Sequence, residues 1–173
     1  MQKDISIRLL EKHDSLEELT TLIHRAYASI ESAGFQLEAA AQSVERTRER
    51  IARGDCFVAV TDAKLVGTLT VSAGFGTSAC DYLKRPDIAC FYQWGVDPSV
   101  QGFGVGAALW RVMENWTREL GFAELVGHTA KDHARQVAYL QRLGLAPVDE
   151  VRFPGDTYVS VVLAKSLLPG VGC

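Results

Sequence analysis

Apolar residues recur along this chain with two different periods. A spacing of three or four residues predicts four amphipathic helices, at 16–30, 37–51, 105–120 and 132–143. Shorter runs that alternate, or that are rich in β-branched and aromatic residues, predict strands at 5–9, 56–60, 65–71, 88–95, 124–128, 148–152 and 157–163. The predicted order is one strand, two helices, three strands, a helix, a strand, a helix and two final strands.

Polar residues refine the predicted helices. Ser15 and Glu18, three residues apart, have the pattern of a capping box, so the first helix should begin there. The second helix carries charges that predict a solvated surface with ion pairs between residues four apart, namely Glu45, Arg46, Arg48, Glu49 and Arg50. The third helix should bury a face made of Val105, Ala108, Leu109, Val112, Trp116 and Leu120.

Length, charge and cysteine use narrow the functional classes. The 173 residues suffice for a single domain, which we place at 1–165 with a tail at 166–173. With 18 basic and 21 acidic residues, the chain has no electrostatic footprint for nucleic acid or a membrane surface. No transmembrane run or signal peptide is recognisable, so we expect a cytoplasmic protein. The four cysteines form no Cys-x-x-Cys pair, which predicts reduced thiols and no metal site.

A glycine-rich loop joins the central strand to the third predicted helix. Gly102, Gly104 and Gly106 leave room for a ligand to approach the backbone. The unpaired amides where a helix begins attract anions, so the loop is a candidate phosphate site. A P-loop is excluded because no Gly-Lys-Ser/Thr follows, and a dinucleotide fingerprint is excluded because Leu109 replaces its third glycine. The alternative is a tight turn that binds nothing.

The residues around this loop resemble a known family signature. Trp94-Gly95-Val96-Asp97-Pro98, followed by Gln101-Gly102-Phe103-Gly104-Val105-Gly106, is similar to the coenzyme A-binding motif of the GNAT superfamily of N-acetyltransferases. Gln101 stands where arginine is commoner. The resemblance implies an α/β (α+β) GNAT-like fold, with a mixed central sheet of about seven strands flanked by about four helices. It also implies that the central strand runs parallel to the strand after the loop's helix and splays from it.

The same resemblance implies a binding site for acetyl-coenzyme A. Backbone groups of Trp94, Gly95 and Val96 should accompany the pantetheine. The pyrophosphate should lie on the loop residues Gln101, Gly102, Phe103, Gly104, Val105, Gly106 and Ala107. His133 replaces an asparagine that the family has at the start of the next helix, and it can still hydrogen-bond the co-substrate.

Two positions depart from the family's catalytic pattern. Cys90 stands where parts of the family have a carboxylate general base, and we interpret it as a buried apolar residue rather than a base. Tyr92 can relay a proton through water or shape the substrate pocket. Leu140 stands where the family often has a tyrosine general acid. Its neighbour Tyr139 takes that role only if the helix is turned or shifted; otherwise it packs in the core.

These features predict an N-acetyltransferase that moves an acetyl group from acetyl-coenzyme A to a primary amine of a small molecule, peptide or protein. One alternative is a non-catalytic acyl-coenzyme A-binding or regulatory module, and another is a structural domain without a ligand. Acceptor specificity should lie in residues 27–37, 72–87 and 153–156. A homodimer is compatible with this reading.

Overall fold

The computed structural model describes residues 4–32, 34–35, 37–62, 64–76 and 78–168. Seven strands lie within this part of the chain: β1 Ser6–Leu9, β2 Asp55–Thr61, β3 Lys64–Ala73, β4 Ile88–Val96, β5 Glu124–Ala130, β6 Ala146–Val151 and β7 Ser160–Ser166. Five helices accompany them: α1 Leu16–Ser32, α2 Glu38–Ala41, α3 Val44–Ile51, α4 Val105–Glu119 and α5 Ala134–Arg142.

The strands form one mixed sheet in the order β1-β2-β3-β4-β5-β7-β6. The β4 and β5 strands run parallel, with Ile88 opposite Glu124 and Cys90 opposite Val126, whereas β5–β7 and β6–β7 are antiparallel. This arrangement confirms the predicted fold class. The second predicted helix is in fact two, α2 and α3, so the described residues contain five helices rather than four.

The chain forms two compact units, Met1–Ser72 with Tyr92–Met113, and Ala73–Phe91 with Glu114–Cys173. The core of the first unit lies between α1 and strand β2, and its fully buried members include Leu19, Leu22, Ile23 and Val58.

Only half of the predicted capping box is present at the start of α1. Ser15 Oγ accepts from the Glu18 amide at 3.2 Å, but the Glu18 carboxylate accepts from the Leu65 amide at 2.9 Å.

A buried polar cluster explains the break between α2 and α3. Gln42 is extended, and its Nε2 donates to Thr47 Oγ1 at 2.7 Å. Thr20 Oγ1 of α1 lies 2.8 Å from the same hydroxyl. Ser43 then caps α3 by accepting from the Arg46 amide at 3.1 Å. Gln42 leaves the helix with its side chain bonded to Thr47, a polar contact that apolar spacing alone could not reveal.

A bulge-like residue changes the phase of strand β4. Gln93 has φ +51°, which L-residues rarely adopt, and it is 2% exposed. Before it, Tyr92 Oη donates to the Arg50 carbonyl at 2.8 Å, on the side of α3. After it, a Cβ on Gly95 would lie 2.8 Å from Ala26 of α1. Tyr92 and Gly95 face the same helical layer although they are three residues apart, because Gln93 interrupts the alternation.

The first turns of α4 pack on strand β3. A Cβ on Gly67 would lie 3.0 Å from Leu109 and 3.2 Å from Val105, so this glycine lets the helix approach closely. The buried face of α4 includes Val105, Leu109, Trp110, Met113 and Thr117. The predicted face is therefore partly wrong, because Val112 is 37% exposed and Leu120 is 56% exposed.

The second unit has its own core, made of Cys80, Leu83, Ile88, Cys90, Val126 and Val162. The Phe91 ring covers Gly127 of β5, whose added Cβ would lie only 2.3 Å from Cζ of that ring. Strand β7 runs to Ser166, and Leu167 is buried. The predicted boundary at 165 stays a prediction, and residues 169–173 of the proposed tail lie outside the described residues.

Candidate active site

An aspartate fixes the beginning of the glycine-rich loop. Asp97 Oδ1 accepts from the amide of Ser99 at 2.9 Å and caps the short 3₁₀ turn Pro98–Val100. Arg25 of α1 clamps the other carboxylate oxygen, with nitrogen–oxygen distances of 2.9 and 2.7 Å. Burial raises the pKa of Asp97, but the Ser99 and Arg25 bonds outweigh it and hold that pKa below its usual value. The carboxylate therefore stays ionised and tethers the loop to α1.

The glycines of the loop adopt conformations that favour glycine. Gly102 has φ +84° and Gly104 has φ +81°, and a Cβ on either would meet nothing within 4 Å. Open space therefore lies beside the backbone at both positions. The first helical bond of α4 runs from the Ala108 amide to the Gly104 carbonyl at 2.9 Å. The amides of residues 105–107 precede that bond, so they form the electropositive start of the helix.

Two side chains of the loop, Gln101 and Phe103, differ in their contacts. Gln101 Nε2 donates to the Val96 carbonyl at 3.1 Å, which ties the loop back to the end of β4. Phe103 is 77% exposed. In the structure, Gln101 therefore serves to hold the loop, and its predicted contact with pyrophosphate stays a prediction.

The end of β4 is held from two sides. The Trp94 indole stacks on Trp110 of α4 with ring centroids 5.3 Å apart. The backbone of Trp94 hydrogen-bonds the phenol of Tyr27, whose pKa burial raises to about 12. One of the backbone groups that we expected pantetheine to use is thus engaged, and pairing with Trp94 would use its carbonyl or displace this bond.

Tyr92 lies at the end of α3. Its hydroxyl donates to the Arg50 carbonyl at 2.8 Å, and the Arg50 guanidinium carbon lies 5.6 Å from the ring centroid. Burial raises the pKa of Tyr92, although a bond from Ser72 and the charges of Arg50 and Arg53 oppose that effect. The phenol is therefore protonated at neutral pH, and its proton points to a backbone carbonyl.

A family model for the GNAT acetyltransferases matches residues 16–145. The chain belongs to this family. The S-(2-succino)cysteine N-acetyltransferase of Bacillus subtilis (strain 168) is 25% identical over 164 residues, which are 92% of this chain and 94% of that protein.

Solved structures of other family members agree on the fold. PaiA N-acetyltransferase of Thermoplasma acidophilum, in complex with coenzyme A, has a TM-score of 0.73 at 16% identity, with 94% of this chain and 99% of that one covered. An acetyltransferase of Bacillus subtilis, also in complex with coenzyme A, has a TM-score of 0.65 at 19% identity, with 95% and 100% covered. At these identities the likeness establishes the GNAT fold.

Cys90 is one of the two positions at which this GNAT chain departs from the family's catalytic pattern. It lies among apolar residues. It is 1% exposed and packs with Ile88, Val126 and Val162. Burial raises the pKa of its thiol to about 12, despite an opposing backbone bond from Phe75. Since the thiol is protonated at neutral pH, these surroundings agree with its interpretation as a buried apolar residue.

Leu140, the other position that departs from the family's catalytic pattern, lies in helix α5. Leu140 is 2% exposed, and the half-buried Tyr139 is its neighbour. Burial raises the pKa of Tyr139, and the nearby Arg142 lowers it by less. His133 occupies the position before the helix. Burial lowers its pKa, and the positive charge of Arg135 lowers it further. Both side chains are thus neutral at pH 7. Their predicted roles toward the co-substrate stay predictions.

Two features of this site escaped the sequence analysis. Gln93 is buried, and neither polar atom of its amide has a hydrogen-bond partner within the described residues. A glutamine inside an apolar strand carries no signal for such a conformation. The Arg25–Asp97 tether joins residues 72 positions apart, so no local pattern predicts it.

Groups of histidine, cysteine and acidic residues suited to a metal ion are absent from the part of the chain that the structure describes. A search of the same residues finds no helix that is long and apolar enough to cross a membrane.

Proposed function

We propose that this chain is an acetyl-coenzyme A-dependent N-acetyltransferase that acts on a primary amine. The observation that carries the proposal is the loop Gln101–Ala107, whose open glycines and helix-start amides would suit an anion at the end of β4. Membership of the GNAT family and the coenzyme A complexes of its relatives support it.

The residues at hand suit each part of this co-substrate. The amides of residues 102–107 would hold the pyrophosphate, and the strand from Trp94 to Val96 would accompany the pantetheine. Gln93 adds a buried amide that has no partner among the described residues, and pantetheine carries amide groups that can pair with it. His133 would provide a further hydrogen bond. When bound, acetyl-coenzyme A supplies a thioester as the acetyl donor.

The amine has to lose a proton before it attacks. For a lysine-like acceptor at pH 7 this costs roughly 4–5 kcal/mol, given a reference pKa near 10.4. Cys90 is a poor base because its thiol pKa is raised to about 12. The amine would therefore lose its proton to solvent near Tyr92, or bind already neutral.

The departing thiolate is a smaller problem. Its conjugate acid has a pKa near 8.5, so leaving as an anion at pH 7 costs only about 2 kcal/mol. Tyr139 would supply this proton, because its phenol is protonated at neutral pH. A general acid there is useful but not essential.

Two measurements test the function. Acetyl-coenzyme A at a hundred times its dissociation constant should stabilise the fold by about 2.7 kcal/mol, measured by thermal unfolding. Amine-dependent release of coenzyme A should then be followed over lysine-like, aromatic and peptide amines. S-(2-succino)cysteine belongs in this panel because of the relative named for it.

The outcomes separate the alternatives. Stabilisation without transfer to any amine would indicate a non-catalytic acyl-coenzyme A-binding module, which Cys90 and Leu140 at two catalytic positions would favour. Absence of stabilisation would indicate a structural domain without this ligand. A cytoplasmic location and a homodimer belong to the same proposal, and cell fractionation and sedimentation would test them.

A further inference from the structure

The last turn of α3 presents positive charge beside Tyr92. The Arg50 guanidinium lies over the Tyr92 ring, and the same tyrosine bonds the Arg50 carbonyl. Arg53, one residue beyond the helix cap Ala52, is exposed, and its charge also acts on the Tyr92 phenol. Two cationic side chains are thus near the residue that we place at the acceptor end of β4.

A glycine holds this helix end against the sheet. A Cβ on Gly54 would lie 2.1 Å from the Val71 carbonyl oxygen and 2.8 Å from Ser72 Cα. The residue after Arg53 therefore touches the backbone of β3. Ser72 in turn hydrogen-bonds Tyr92. The backbone next to Arg53 therefore lies against β3, whose Ser72 bonds Tyr92.

The ion pairs at this helix end do not include Arg53. Glu38 Oε2 pairs with Arg50 at 3.1 Å, and the same carboxylate also pairs with Arg46. Arg46 pairs with Glu49 as well, at 2.9 Å. Arg53 has no ion pair within the described residues, and it reaches Glu38 only through longer-range attraction. Glu38 and Glu49 thus pair with Arg46 and Arg50, and Arg53 lies outside this group of ion pairs.

The other arginines of α3 form ion pairs of a simpler kind. Arg48 pairs with Glu45 one turn away at 3.3 Å and points to solvent with 58% exposure. Arg46 and Arg48 thus form the predicted solvated ion pairs, although at a spacing of three residues rather than four. Arg50 and Arg53 differ from these two arginines, because their charges act on Tyr92.

We propose, building on the N-acetyltransferase function above, that the acceptor is an amine that carries a carboxylate, and that Arg53, with Arg50, binds this carboxylate beside Tyr92. A guanidinium matches a carboxylate with two parallel hydrogen bonds. The helix end itself repels anions, so the arginine side chains and not the backbone must supply the attraction.

The first experiment compares matched acceptors on the unmodified protein. L-amino acids with small, acidic, basic and aromatic side chains are each paired with their carboxamide. Because an amide lowers the pKa of the neighbouring amine, kcat/KM is referred to the concentration of neutral amine. We expect at least a tenfold preference for the acids. Equal values for acids and carboxamides, or a preference for amines that carry phosphate, would overturn the proposal.

The second experiment uses variants of one helix end. Arg53→Gln should lower kcat/KM for the acids about tenfold to a hundredfold, mainly through KM, and by at most about threefold for the carboxamides. Arg53→Lys should recover part of the loss. Arg48→Gln is the matched control, because it removes a paired and solvated arginine from the same helix. Equal losses on both classes of acceptor would count against a carboxylate site at Arg53.

A binding measurement separates this proposal from the function on which it rests. Amino acids are added to the coenzyme A-saturated protein, and its melting temperature is followed. A carboxylate-dependent rise without any transfer would refute the N-acetyltransferase function but keep the anion site. Transfer to acids and carboxamides alike would keep the function and refute the site. Neither transfer nor a rise in melting temperature would refute both.

Discussion

At the scale of single residues, protonation states limit what each side chain can do. Cys90 stands where some family members have a carboxylate, but burial among apolar side chains raises its pKa to about 12. Tyr92 and Tyr139 also have raised pKa values, so both phenols keep their protons at neutral pH. These three residues therefore offer proton donors and no strong base.

Cys90→Ala should keep kcat/KM within tenfold of the parent. The thiol is protonated at neutral pH, and alanine removes only a small, buried side chain. Steady-state assays with acetyl-coenzyme A test this, and a thermal scan checks that the variant folds. A loss of a hundredfold or more, in a folded protein that still binds coenzyme A, would make Cys90 the base.

Tyr139→Phe should lower kcat by up to about a hundredfold and leave coenzyme A affinity unchanged, because only the departing thiolate loses its proton donor. The control is Tyr82→Phe, whose hydroxyl donates to Glu124 at 2.6 Å. It should cost stability, about 1 kcal/mol, rather than rate. A Tyr139→Phe rate within twofold of the parent would remove this residue from the mechanism.

At the scale of elements, the start of α4 is defined by backbone rather than by side chains. Gly104→Glu should abolish stabilisation by coenzyme A, since it places bulk and negative charge where the pyrophosphate is proposed to lie. Gly121→Glu is a matched control, because Gly121 follows the other end of α4 with φ +83° and open space around it. If folded Gly104→Glu protein bound coenzyme A normally, the assignment of the loop would be wrong.

The contact between the end of α3 and β3 should tolerate no side chain. Gly54→Ala should lower the free energy of unfolding by about 1–3 kcal/mol, because its Cβ would lie 2.1 Å from a backbone oxygen that cannot rotate away. Gly76→Ala, where a Cβ would meet nothing within 4 Å, should change it by less than about 0.5 kcal/mol. Chemical denaturation measures both. Equal stability of the two variants would contradict the close approach.

Element order and the glycine-rich loop were predictable, whereas contacts across the fold were not. The periods of apolar residues located the elements, and three glycines at alternate positions located the loop that we propose as the anion site. The buried face of α4 was partly misassigned, because Val112 is apolar but exposed. The break at Gln42 depends on a hydroxyl of α3. Arg53 lacks an ion pair with Glu38, fifteen residues away along the chain, whose carboxylate pairs with Arg46 and Arg50 instead.

At the scale of the whole molecule, turnover should follow the acceptor's own ionisation. Neither Cys90 nor Tyr92 titrates near neutral pH, and the pKa of His133 is lowered from 6.5. As pH rises, kcat/KM should therefore increase about tenfold per unit until it reaches the pKa of the amine. Aromatic amines should give a flatter profile than lysine-like ones. A plateau at one pH for every acceptor would instead reveal a base in the protein.

The odd residue in β4 also limits how this strand can change in length. Gln93 sets the phase of Trp94, Gly95 and Val96 relative to Tyr92. Straightening the strand with Gln93 still in place would exchange the two faces of everything that follows, so the Trp94 indole would turn toward α1, where a single methyl group on Gly95 already has no room. A strand without Gln93 would keep Trp94 and Gly95 on these faces by plain alternation, so the extra residue and its left-handed conformation must be gained or lost together.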